Sequence, residues 1–102
     1  MKEPDIKAIR KEFGIPHSFK FLGFVICNAF KEDYLSEYAA STEAFSFSTW
    51  TATPEFALKF KTYLESCDVI SRLELQDKTI VMMAFDTGSQ IAVGEIPFPV
   101  AN

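Results

Sequence analysis

Ser18-Phe19-Lys20-Phe21-Leu22-Gly23-Phe24-Val25-Ile26-Cys27-Asn28-Ala29-Phe30 decides what kind of fold this chain can adopt. The run opens by alternating and then becomes almost wholly apolar. Phe, Val and Ile favour strand, and the run holds too few helix formers to read otherwise. Gly23 within it marks a bulge or a close backbone approach.

Ahead of this strand, residues 4–13 read as a short amphipathic helix. Pro4 suits a first turn, Asp5 favours the positive helix end, and Ile6, Ile9 and Phe13 share one face. Gly14 and Pro16 stop it. Behind the strand, residues 31–44 are polar. Asp33 is the expected cap of a short helix with Tyr34, Leu35, Tyr38 and Ala39 along one side. Residues 45–51 alternate Phe45, Phe47 and Thr49 against Ser46 and Ser48, as a half-exposed strand does, with Trp50 breaking the polar register.

Thr53-Pro54-Glu55 reads as a helix start: Thr as cap, Pro at the first helical position, Glu against the dipole. Phe56, Phe60, Tyr63, Leu64 and Cys67 then fall on one helical face. Val69, Ile70 and Leu73 continue it to about Leu75, with a kink or restart at Asp68. Gln76-Asp77-Lys78 is a turn. Thr79–Phe85 and Ile91–Ile96 are strands joined at Asp86–Gln90 as a hairpin with a Gly-containing loop. The expected fold class is α+β. It is a small two-layer sandwich: an antiparallel sheet of about four strands packed against one long helix plus a short N-terminal helix.

The 102 residues, 48% hydrophobic and 24% charged, fit a single compact domain spanning residues 1–102. The eleven Phe are read as mostly structural. Fourteen acids against ten bases give a net charge of −4, which argues against nucleic acid or an anionic membrane as the partner. Met1-Lys2-Glu3-Pro4-Asp5 is not followed by the apolar region of a signal peptide, and no apolar run is long enough to span a bilayer. Cys27 and Cys67 sit among apolar neighbours and read as reduced thiols. The expected location is therefore the cytoplasm, that of a host cell under the phage-type reading below. Two Cys and the single His17 are too few for a structural zinc site, so no metal or cofactor is expected.

Three stretches invite a functional reading. Asp86-Thr87-Gly88-Ser89, after Val81–Phe85, resembles the active-site loop of aspartic proteases. That resemblance implies a homodimer pairing two Asp86 carboxylates. Only thirteen residues follow Ser89, leaving no room for the family's flap and supporting segment. Asp, Gly and Ser are also ordinary turn residues. Ser48 and Thr49, running into the 54–66 segment, are similar to the strand-then-helix wall of the NAD site in ADP-ribosyltransferases. Glu95 is the one counterpart of that family's glutamate. The third small hydroxyl is replaced by Trp50, and no E-x-E pair exists. The 45–66 junction as a whole resembles a strand-to-helix seam of small phage and mobile-element proteins.

The third stretch is defined by charge. No Lys or Arg lies between Glu32 and Leu58, while Glu32, Asp33, Glu37, Glu43 and Glu55 contribute −5. Tyr34, Tyr38 and Trp50 lie inside it. Acid with aromatics suits a protein-binding surface, with acids steering and aromatics anchoring. The expectation is thus a small non-enzymatic binding or inhibitor protein of phage or mobile-element type. It contacts a protein partner with a basic surface through Tyr34, Glu37, Tyr38, Glu43 and Trp50. The alternatives are an enzyme using Asp86, or Ser48, Thr49 and Glu95, and a structural homodimer.

Overall fold

A computed structural model describes residues 3–40 and 46–97. The elements run α1 (Ile6–Phe13), β1 (Lys20–Asn28), β2 (Asp33–Ala40), β3 (Ser46–Thr51), a single 3-10 turn (Pro54–Phe56), α2 (Tyr63–Arg72), β4 (Thr79–Asp86) and β5 (Ile91–Glu95). All strand pairs are antiparallel, and the five-stranded sheet has the order β3-β2-β1-β4-β5. The α+β class holds, with five strands in place of about four and with α2 shorter than expected.

The central strand β1 is buried on both faces, as its apolar run requires. Phe24 and Ile26 join Met83 and Phe85 of β4, Leu35 of β2, and Ile9, Tyr63 and Val69 of the two helices in the main core. Val25, pointing the other way, packs with Ala84 and Ala57, flanked by Leu22, Tyr34, Met82, Ile91 and Val93. The helices therefore cover one face, and the 3-10 turn with Ala57 closes over part of the other.

Where a short helix capped by Asp33 was expected, Asp33–Ala40 form strand β2, and residues 41–44 lie outside the described residues. The reason is a bulge between Leu35 and Glu37 in its pairing with β3. An extra residue in a strand places side chains three apart on one face. Leu35 and Tyr38 thus both reach the main core, at a spacing that imitates a helix. The Ser36 hydroxyl fills the bulge by donating to the Thr49 carbonyl oxygen at 3.0 Å.

The long helix expected from Pro54 is also corrected. Only the 3-10 turn follows Thr53, and Phe56 is 72% exposed. The chain is then drawn out as an extended segment. β1 and β2 pair only at Cys27–Tyr34 and Asn28–Asp33 before they separate. Residues 58–60 enter the opening. The Leu58 N–H donates to the Leu35 carbonyl at 2.9 Å, while Phe24 and Phe60 exchange two backbone hydrogen bonds of 2.8 Å. The backbone crosses here from the Ala57 side of the sheet to the Phe60 side. This passage needs Gly23, which has a φ of 133° and whose missing Cβ would lie 2.6 Å from the Phe60 carbonyl oxygen. Both anticipated roles of Gly23 are realised, since the β1–β4 register also shifts between Phe21 and Gly23.

The true cap of α2 is Thr62, whose hydroxyl accepts from the Glu65 N–H at 3.1 Å, and Glu65 reaches back to the Lys61 N–H. Glu3 completes it. Its two carboxylate oxygens accept from the Tyr63 and Leu64 N–H groups at 2.7 and 2.6 Å. The buried face is Tyr63, Ser66 and Val69, and Leu64 is exposed. At α1, Asp5 caps through its side chain and Gly14 takes the left-handed conformation after the last turn. Ile6 and Ile9 face the core, but Phe13 is 56% exposed. Arg10 fastens α1 to the sheet: it donates to the carbonyls of Pro16 and Phe19 and lies over the Phe85 ring. No helix among the described residues is long and apolar enough to cross a membrane.

Candidate functional site

Ser48 and Thr49 lie on β3 and Glu95 on β5, at opposite edges of the sheet with three strands between them. No cleft brings them together among the described residues. Each hydroxyl also has local work. The Ser48 oxygen accepts from the Trp50 indole N–H at 3.0 Å, and the Thr49 hydroxyl lies 3.0 Å from that of Ser36. Glu95 instead lines a groove of about 480 Å³ beside Tyr63, Cys67, Ile70 and Thr79.

Asp86 ends β4, and its carboxylate accepts from the Gly88 N–H at 2.8 Å. The Thr87 hydroxyl accepts from the Gln90 N–H and donates to the Gln90 carbonyl. Side chains of this kind closing on the backbone two or three residues ahead are what the reversal between β4 and β5 requires. The aspartic-protease resemblance thus falls on a hairpin turn whose Asp has a structural hydrogen bond.

The acidic, aromatic stretch is the β2–β3 hairpin and the turn that follows. The pleat and the Ser36 bulge divide its side chains. Tyr38 and Trp50 pack on the helix-bearing face, whereas Tyr34 packs on the opposite face with Val25 and Ala84. Glu37 is exposed on β2, opposite Thr49. Glu43 lies outside the described residues. The five proposed contact residues therefore do not form one continuous patch, and the aromatic three are half-buried in the fold's own packing. Burial, then the negative charges available to Cys27 and Glu32, push the Tyr34 phenol above its ordinary range.

The hairpin's charge is not neutralised from its flank. The Lys59 ammonium is turned inward onto the Pro54 and Glu55 carbonyls at 3.0 and 2.8 Å. Burial lowers its pKa, with Glu55 opposing that shift. Three further Phe, of a set read from the sequence as mostly structural, are exposed among the described residues. Phe30 in the β1–β2 turn is 78% exposed, and Phe47 and Phe56 are exposed as well. Their exposure was not legible, because a Phe in a turn carries the same local signature whether or not something covers it.

Both cysteines are free thiols, Cys27 buried and Cys67 half-buried on α2. Burial, followed by Asp33 and Glu32, raises the Cys27 pKa and holds it as a thiol. His17, exposed after α1, lines a groove to which neither cysteine contributes. No group of three or more His, Cys, Asp or Glu side chains suited to a metal ion occurs among the described residues. Protein-family models, curated proteins and solved structures were compared with the chain, and none matches it.

Proposed function

We propose that this protein acts by stoichiometric contact with a basic protein surface, using the β2–β3 hairpin as its reading arm. The observation that carries this is the hairpin's attachment. β2 shares two residue pairs with β1 and then leaves it. The resulting arm belongs to a stretch with five acids and no Lys or Arg from Glu32 to Leu58. Beyond its pairs with β1, β2 is held to the body through residues 58–60 and the buried Leu35, and an edge hairpin of one charge sign concentrates potential and speeds encounter with the opposite sign. Glu37 and Glu43 steer, and exposed Phe47, which the β2–β3 register sets on the same face as Glu37 and Tyr34, supplies apolar area at the contact. Tyr38 and Trp50 anchor the hairpin from the helix-bearing face, and Tyr34 shapes its base. An inhibitor or regulator of phage or mobile-element type, acting in the host cytoplasm, is the biological form this reading takes.

The separation of Ser48 and Thr49 from Glu95 and the turn bonds of Asp86 favour this reading over the enzymatic alternatives. The test is photo-crosslinking from a photoreactive phenylalanine at position 47, exposed on β3, compared with one at position 12 on α1. A partner trapped only from position 47, and lost when Glu37→Lys/Glu43→Lys is added, supports the arm. Equal trapping from both positions, or capture indifferent to charge reversal, overturns it.

A further inference from the structure

We propose that the groove at the C-terminal end of α1 binds a small multivalent anion of the phosphate-ester class. This site is separate from the acidic arm. The groove holds about 850 Å³ and is lined by Lys7, Arg10, Lys11, Gly14, Ile15, Pro16 and His17. Its volume lies in the range of ordinary small-ligand clefts. No carboxylate lines it, in a chain whose net charge is −4.

The cations are not there to serve the fold alone. Arg10 is committed to the Pro16 and Phe19 carbonyls and the Phe85 ring, so it shapes the floor while its charge remains. The side chains of Lys7, Lys11 and His17 make no hydrogen bond or ion pair among the described residues. Lys7 and Lys11 are four apart on one helix, a like-charge spacing that costs a few tenths of a kcal/mol. The acid four residues before Lys7 is Glu3, and its carboxylate is occupied at the start of α2. Lys11 lies with Arg10 in the last turn, where both offset the helix's negative end, and Lys7 one turn earlier adds charge beyond that need. Two ammonium groups one helical turn apart suit a group with several charged oxygens, and the imidazole of His17 adds an N–H donor. Gly14, Ile15 and Pro16 leave an uncharged wall for the esterified part of the ligand.

Inorganic pyrophosphate is the probe, titrated into isotopically labelled protein at constant ionic strength. Saturable movement of the Lys7, Lys11, Gly14 and His17 amide signals is expected. Lys7→Gln/Lys11→Gln, both at exposed positions, should keep the wild-type circular dichroism and bind at least about tenfold more weakly. Glu37→Lys should bind pyrophosphate as wild type does, which separates this site from the arm. Non-saturating drift spread over the surface, or unchanged affinity in the double glutamine variant, would overturn the assignment.

Discussion

Replacing Gly23 by Ala tests the passage of the chain through the sheet. The substitution places a Cβ 2.6 Å from the Phe60 carbonyl oxygen, a backbone atom, and 3.3 Å from the Lys59 Cβ. It also asks an L-residue to hold a φ of 133°. Backbone strain of that kind costs about 1–3 kcal/mol. Relief of the clash requires residues 58–60 to withdraw, loosening the two 2.8 Å bonds between Phe24 and Phe60, at about 1 kcal/mol each. The expected loss is about 3–5 kcal/mol, a large fraction of a typical domain's stability. In urea this lowers the unfolding midpoint by about 2–3 M, for a slope of about 1.5 kcal/mol per molar. The fluorescence of Trp50, the only tryptophan, reports the transition. Gly94→Ala is the matched control. Nothing lies within 4 Å of its added Cβ, and its φ lies outside the positive range, so a change within about 0.5 kcal/mol is expected. A Gly23→Ala protein within about 1 kcal/mol of wild type would refute the crossing as described.

Glu3→Ala leaves the Tyr63 and Leu64 N–H groups without their carboxylate partner, and a loss of about 1 kcal/mol is expected in the same urea experiment. Tyr63 is pushed up to about 12 by burial, then by its hydrogen bond with Cys67 and by the charges of Cys67 and Glu3. Its folded pKa exceeds its unfolded one, so its contribution to stability is complete below about pH 10 and is lost as pH rises towards 12. Phenolate absorbance in Tyr63→Phe should lack that late-titrating group. Native-state labelling with a chromogenic disulfide should modify half-buried Cys67 well before Cys27, whose burial and raised pKa both slow attack; equal rates would contradict the buried placement of Cys27.

Where a segment's apolar pattern was produced by its own regular element, it could be read directly. The largely apolar run of β1, the β4–β5 hairpin around Asp86–Gln90 and the α1 boundaries at Asp5 and Gly14 are of this kind. The turn chemistry of Asp86-Thr87-Gly88-Ser89 was equally local, because its hydrogen bonds close within a few residues. The start of α2 was present too, as the Thr62-x-x-Glu65 capping box, but the stronger Thr53-Pro54-Glu55 signal masked it.

Sequence alone therefore determined the α+β class, an apolar strand within residues 18–30 and a charge distribution split between an acidic stretch and the rest. Tertiary structure decided the remainder. The bulge at Ser36 gave β2 a helix-like spacing, and only pairing with β3 fixes which element that spacing belongs to. Residues 57–60 left the helical stripe because an opening between β1 and β2, made by distant parts of the chain, offered their backbone better partners. Strand order, likewise a product of non-local pairing, set Ser48 and Thr49 at one edge of the sheet and Glu95 at the other. Periodicity records that a side chain is buried, whereas the identity of what buries it depends on contacts between residues far apart in sequence.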